Sequence, residues 1–128
     1  MIFADSSYFI GLADMKDQWH AQAVGVLKKV QDRLILSDLV ISETVTSIGS
    51  RAGGKAGKRI YNFFCDNCEI VYIDDDLLEE SMEIFLKYDG KLSVADSVSV
   101  AIMKKRGIKK IISFDSDFDR VKGIIRVC

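Results

Sequence analysis

The sequence contains no apolar run near the roughly 20 residues needed to cross a bilayer, so a membrane-spanning helix is not expected. No basic segment and cleavage site precede Asp5, and the chain reads as a soluble cytoplasmic protein without membrane attachment. Three cysteines are too few, and odd in number, for a disulfide framework. Cys65 and Cys68 have the spacing of a redox or zinc half-site, but Cys128 and the single His20 form no second pair. Reduced thiols near a helix end are the expectation. His20 lies beside Trp19 and follows no acid-bearing motif, which reads as a surface or core-edge residue and not a catalytic base. A net charge of −1 gives no global basic field, so any site for a polyanion must be local.

Two motifs are also missing on inspection. The segment Gly53-Gly54-Lys55-Ala56-Gly57-Lys58 lacks the G-x-x-x-x-G-K-[ST] pattern of a phosphate loop and follows a helix instead of a strand. Asp115-Ser116-Asp117-Phe118-Asp119 opens like a calcium loop. Arg120 then stands where the sharp turn needs glycine, and Arg126 where a bidentate glutamate belongs.

What is present fits one domain over residues 1–128, with 48% hydrophobic residues and no repeat, linker or low-complexity break. Ile2 to Ala4 reads as a strand running into Asp5-Ser6-Ser7 and a first helix to Ala13. Gln18 to Val30 places Ala21, Val24, Leu27 and Val30 on one helical stripe before a second strand, Leu34 to Leu36. Asp38 is expected to cap a third helix carrying Leu39, Val40, Glu43 and Ile48, which fails at Gly53-Gly54. A fourth helix covers Lys55 to Phe64, and Ile70 to Ile73 form a third strand. Asp74, Asp75 and Asp76 suit the N-terminus of a fifth helix. Ser93 caps a sixth, which ends at Gly107. Ile111 to Ser113 form a fourth strand, a helical turn covers Ser116 to Val121, and Ile124 to Val127 form a fifth strand. Short β-branched strands alternating with helices imply an α/β domain with a mostly parallel sheet covered on both faces.

In such a sheet, ligands bind beyond the carboxyl ends of the strands. Asp5 ends the first strand and Asp115 follows the fourth by two residues, so neighbouring strands would bring them to one crevice. Asp96 lies in the first turn of the sixth helix. Glu43 sits between the apolar residues Ile41 and Val45, where a carboxylate is costly unless it finds a partner. Four carboxylates in one crevice repel one another, so cations would be required. Oxygen ligands suit Mg²⁺ or Mn²⁺, and the lack of a His/Cys cluster argues against zinc. Each acid also has an ordinary structural role to set against this: Ser93 to Asp96 match a capping box, Asp115 can cap the turn that follows, and Asp5 can punctuate a strand. Basic clusters at Lys28-Lys29 with Arg33, at Arg51 to Arg59, and at Lys104 to Lys110 are ordinarily solvated helix faces.

Four segments taken in order resemble the PIN-domain nucleases, more narrowly the toxin member of VapBC-type toxin–antitoxin pairs. They are Ile2-Phe3-Ala4-Asp5-Ser6-Ser7, Ile41-Ser42-Glu43, Leu92-Ser93-Val94-Ala95-Asp96-Ser97, and Ile112-Ser113-Phe114-Asp115-Ser116-Asp117-Phe118, the last resembling an S/T-x-D-x-x-F signature. The resemblance covers the whole chain and implies a three-layer fold with a parallel five-stranded sheet in the order 3-2-1-4-5. It also implies Mg²⁺ or Mn²⁺ at Asp5, Glu43, Asp96 and Asp115, with Asp117 as an additional acid, and hydrolysis of single-stranded RNA. Ser6 and Ser113 would hydrogen-bond water on the metal or a carboxylate. A cognate antitoxin and a homodimer follow from the same resemblance. Departures are the absence of proline near Asp96 and the glycine-basic stretch from Arg51 to Arg59. Arg51, Lys55, Lys58 and Arg59 are expected to guide the RNA backbone toward the acids. Two further readings remain beside the toxin: a PIN nuclease of RNA processing without an antitoxin, and a non-catalytic RNA- or protein-binding module, against which the complete acid set argues.

Overall fold

The computed structural model describes residues 1–128. Its elements run β1 (Ile2–Ala4), α1 (Ser6–Ala13), α2 (His20–Lys29), β2 (Leu34–Ser37), α3 (Asp38–Ala52), α4 (Gly54–Asn67), β3 (Cys68–Val71), α5 (Asp75–Lys87), α6 (Val94–Arg106), β4 (Lys110–Ile112), a 3₁₀ turn (Ser116–Arg120) and β5 (Ile125–Val127). The five strands form one sheet in the order β3-β2-β1-β4-β5. Every pairing is parallel. Ile2 aligns with Leu34, and Phe3 with both Ile35 and Ile111, so β1 holds the centre.

Consecutive residues are buried on the central strands: Phe3 with Ala4, Ile35 with Leu36, and Ile111 with Ile112. Successive strand side chains point to opposite faces, so both faces of the sheet are covered. The core continues into helices through Tyr8, Phe9, Phe64, Val98, Ile102 and Met103. Two glycines permit the closest helix approaches. A Cβ at Gly11 would stand 3.2 Å from the Ala23 Cβ, and one at Gly57 would stand 3.2 Å from the Val45 carbonyl oxygen. No helix is long and apolar enough to cross a membrane.

Three local expectations are corrected. The buried stripe of α2 is Ala23 and Val26, while Ala21 and Leu27 are exposed. Helical periodicity gave the spacing, but the neighbouring glycine and α1 decide which face turns inward. Ser37 is the cap of α3, its hydroxyl accepting the Val40 amide, while Asp38 accepts the Ile73 amide and fastens the chain after β3. Last, α4 continues three residues past Phe64, so β3 begins at Cys68, opposite Leu34. Cys65 and Cys68 are free thiols, and burial pushes Cys68 up to about 11.

Candidate active site

Parallel strands carry their chains out of the sheet at one edge, and the central pair β1 and β4 deliver the first acids there. Asp5 caps α1 in extended backbone without using its side chain for the helix. Its carboxylate is buried and accepts two hydroxyls on the same oxygen, Oδ2: Ser7 at 2.8 Å and Ser113 at 2.8 Å. The second oxygen carries neither hydroxyl. Both serines are in turn held by amides after β4, Phe114 donating to Ser7 at 3.0 Å and Asp115 to Ser113 at 3.0 Å. Burial raises the Asp5 carboxyl above the usual range; the two hydroxyls pull it back, and Glu43 pushes it up again.

Asp96 enters from α6. Ser93 caps that helix by accepting the Asp96 amide at 3.1 Å, half of the reciprocal arrangement a capping box describes. Its carboxyl is pushed up to about 7, by desolvation first and then by the charge of Asp5; the Ser93 hydroxyl lowers it, and Asp115 and Glu43 raise it further. Asp96 therefore feels the other three acids named from the sequence. Ser97, the next residue, buries a hydroxyl that has no partner.

Glu43 differs from its expectation. It lies on the exposed side of α3, so burial among apolar neighbours does not explain it. What draws it in is Ser6, whose hydroxyl donates to its carboxylate across the mouth between α1 and α3. Asp115 caps the 3₁₀ turn, its Oδ1 accepting the Asp117 amide at 2.9 Å. Asp117 turns to Arg120 at 3.4 Å and is not among the charges that perturb Asp5 or Asp96.

Two residues of the site stand outside the set named from the sequence. Ser7 braces Asp5, and only a strand-end D-S-S read as a hydroxyl pair would have singled it out. Arg126 forks onto Asp119 at 3.0 Å through both Nε and Nη2, and donates to the Ser113 carbonyl at 3.3 Å. That clamp ties β5 to the turn carrying Asp115.

The donor set is all oxygen, which suits a hard divalent cation. No three acid, cysteine or histidine side chains stand close enough to clasp an ion by themselves. Mg²⁺ is commonly held by only one or two carboxylates, with waters and substrate phosphate completing the shell, so this open group of acids suits that ion better than it would a closed protein cage.

The basic stretch is dispersed. Arg51 pairs with Asp14 at 2.7 Å and reaches Asp17 at 3.9 Å. The Lys16 amide and Arg51 hold Asp14 below the usual carboxylate range. Lys58 lies over the Tyr61 ring, 4.7 Å from its centre. Lys55 is exposed at the start of α4, and Arg59 lines a groove of about 810 Å³ with Met15, Ile48, Ile60 and Phe63. The structure thus gathers the acids but not these cations. His20 donates from Nδ1 to the Gly11 carbonyl, 2.7 Å away, at the edge of the core.

The PIN-domain pattern matches residues 2–124. The chain belongs to the PIN-domain family. This PIN domain is 28% identical over 129 aligned positions to a Mycobacterium tuberculosis protein named 23S rRNA-specific endonuclease VapC20, covering 99% of this chain and 98% of the relative. The crystal structure of M. tuberculosis VapC20, described as a sarcin–ricin loop cleaving toxin, superposes with a TM-score of 0.90 at 26% identity, covering 99% and 98% of the two chains. A toxin–antitoxin complex from Klebsiella pneumoniae shares the fold, with a TM-score of 0.75 at 17% identity over 98% of this chain and 96% of that one.

Proposed function

We propose that this PIN domain is a divalent-metal-dependent endoribonuclease, the toxin of a toxin–antitoxin pair, hydrolysing phosphodiester bonds of single-stranded RNA. The observation that carries the reading is the coupling of Asp96 to Asp5, Asp115 and Glu43 at the carboxyl edge of β1 and β4. The likeness to the endonuclease VapC20 supports RNA as the substrate class, and the fold shared with the toxin–antitoxin complex of Klebsiella pneumoniae supports a protein partner.

Asp5 and Asp96 would hold Mg²⁺ or Mn²⁺, with Glu43 and Asp115 beside them. When bound, such an ion supplies positive charge at the scissile phosphate and acidifies water. The chain's own groups do the rest. Ser7 and Ser113 fix the Asp5 carboxylate and offset part of its desolvation, leaving one oxygen for the cation. Ser6 aims Glu43 inward. Asp115 is fixed by the turn that Arg126 clamps. Asp96, its carboxyl raised to about 7, would give up its proton at little cost in holding a cation near neutral pH.

An antitoxin segment would find an apolar seat in the groove between the end of α1 and the α3–α4 pair, where Ile48, Ile60 and Phe63 are rimmed by Arg51 and Arg59. A homodimer is part of the same proposal: α5 leaves Leu78 and Leu86 at 43% and 72% exposure, and light scattering of the purified protein tests it. The enzymatic reading is tested by RNA cleavage with Mn²⁺, with Mg²⁺ and with excess chelator, and by thermal melts under the same conditions. Cleavage should require the cation. A cation at 100 times its dissociation constant should stabilise the fold by about 2.7 kcal/mol, a shift of several degrees. Full activity in chelator, or no melting shift, would overturn the metal mechanism.

A further inference from the structure

The edge of the sheet opposite the acids carries the reverse charge. Helices α2 and α6 lead into β2 and β4, so their last turns, with Lys28-Lys29 and Lys104, stand at the starting edge of the strands. Arg33 precedes β2, and its carbonyl accepts the Ile2 amide at 3.0 Å. Lys109 precedes β4 and Lys110 begins it, the Lys109 carbonyl accepting the Ile125 amide at 2.7 Å, and Lys122 precedes β5. A hollow of about 560 Å³ opens between Ile2, Asp32, Arg106, Lys109 and Lys110. Neighbouring Lys105 and Arg106 are occupied by Glu80 at 3.7 Å and Glu69 at 2.8 Å. The other seven cations are exposed, and none has an ion pair. Asp32 is the one acid lining the hollow.

Lysines in a last helical turn complement the helix dipole, which accounts for Lys28, Lys29 and Lys104. It does not account for Arg33, Lys109, Lys110 or Lys122, which lie outside helices. These four begin or precede β2, β4 and β5, and with β1 between them they form a row across adjacent strand starts, at about 4.8 Å per strand. A row fits a chain of phosphates better than a single compact anion. Protein interfaces favour arginine and aromatic anchors and are poor in lysine, the reverse of this composition.

We propose that this edge is a second RNA-contact surface, gripping the phosphate backbone of a large RNA away from the carboxylate crevice. The proposal rests on the reading of the chain as a ribonuclease. It explains how a protein of near-zero net charge with an acidic active edge holds a polyanion: attraction and chemistry are placed at opposite ends of the strands. Contacts of this kind position without reading sequence.

The test compares the wild-type protein with a Lys109→Gln/Lys110→Gln/Lys122→Gln variant. Binding of a long labelled RNA is measured in chelator across a salt series, and cleavage of a short fluorogenic oligonucleotide, too small to span the molecule, is measured with Mn²⁺. The variant should show a salt slope smaller by about 2, from about 0.7 per lost contact, and on the order of a tenfold weaker affinity. Cleavage of the short oligonucleotide should stay within about twofold of wild type. An unchanged slope and affinity overturn the proposal, as does binding of the edge to phosphatidylserine vesicles with no effect of the variant on RNA. Failure of both proteins to cut the short oligonucleotide, with the slope still reduced, leaves the surface standing and sinks the catalytic reading instead.

Discussion

Asp5 and Arg51 are both charged residues named from the sequence, and the fold treats them oppositely. Asp5 is buried, bonded to two hydroxyls, and within electrostatic reach of two other acids, Glu43 and Asp96, drawn from distant parts of the chain. Arg51 is half exposed and occupied by Asp14, and its companions on α4 spread over Tyr61, open solvent and an apolar groove. A carboxylate at a strand end is placed by the sheet register, which leaves it little freedom. A long cationic side chain on a helix surface is placed by whichever acid is nearest. Convergence in the crevice is therefore a property of topology, and dispersal along α3 and α4 is a property of side-chain reach.

The comparison breaks most sharply at the crevice. Asp5→Asn or Asp96→Asn should lower RNA cleavage on the order of 10²-fold or more while the far-ultraviolet spectrum stays native, and should shrink the Mn²⁺-induced melting shift. Near-normal turnover in Asp96→Asn would return that residue to helix capping alone.

Ser113→Ala tests whether bracing matters as much as charge. Loss of an outer partner of this kind should cost about 10- to 100-fold in metal affinity or activity. Ser7→Ala should cost less, because Ser7 is only partly buried and water can take the place of its hydroxyl, whereas Ser113 is fully buried. Equal, negligible effects in the two variants would show that Asp5 needs no hydroxyl support.

Stability against pH separates the regions again. The Asp96 carboxyl is raised to about 7 in the fold, against about 3.9 unfolded, so the native state holds the proton more tightly. Metal-free stability should therefore be full below about pH 4 as far as this group is concerned, and fall as pH rises toward 7. Melting temperatures in chelator should show that decline in the wild type and a flatter profile in Asp96→Asn. A rising profile in the wild type would contradict the crowding of the acids.

The smallest effects belong to the basic stretch. Arg51→Gln should leave the melting temperature nearly unchanged, as exposed ion pairs contribute little. Lys55→Gln/Lys58→Gln/Arg59→Gln should weaken RNA binding uniformly and reduce the salt slope by about 2, if all three touch phosphate. No change in slope would leave those residues as a solvated helix face.

Most of the fold was legible because the strands are short, apolar and buried on both faces, as the consecutive pairs Phe3 and Ala4, Ile35 and Leu36, and Ile111 and Ile112 show. Strand order was implied by family resemblance and matches the sheet observed. The inward face of α2 was not legible, since Ala21, Ala23, Val24 and Val26 satisfy helical spacing in more than one phase, and contact with Gly11 of α1 selects Ala23. Capping of α3 by Ser37 was missed because Asp38 is an equally good cap in isolation; the choice is made by the Ile73 amide, 35 positions away in the chain. Glu43 was singled out for a reason that fails, its supposed burial, and is brought to the crevice by Ser6 instead. Ser7 and Arg126 were invisible for a related cause: their roles exist only once β1, β4 and β5 lie side by side.

The two serines that hold Asp5 give its surroundings a direction. Each hydroxyl has one proton and commits it to Asp5, while its own oxygen takes an amide hydrogen from Phe114 or Asp115. The wiring runs one way, from backbone to hydroxyl to carboxylate, and reverses at no step while Asp5 is ionised. Protonating Asp5, or drawing its charge toward a cation, weakens the pull at the end of both wires and is felt in the same backbone that presents Asp115. Two acids that share no bond are thus joined as emitter and receiver. The hydrogen-bond path between them runs through a pair of alcohols.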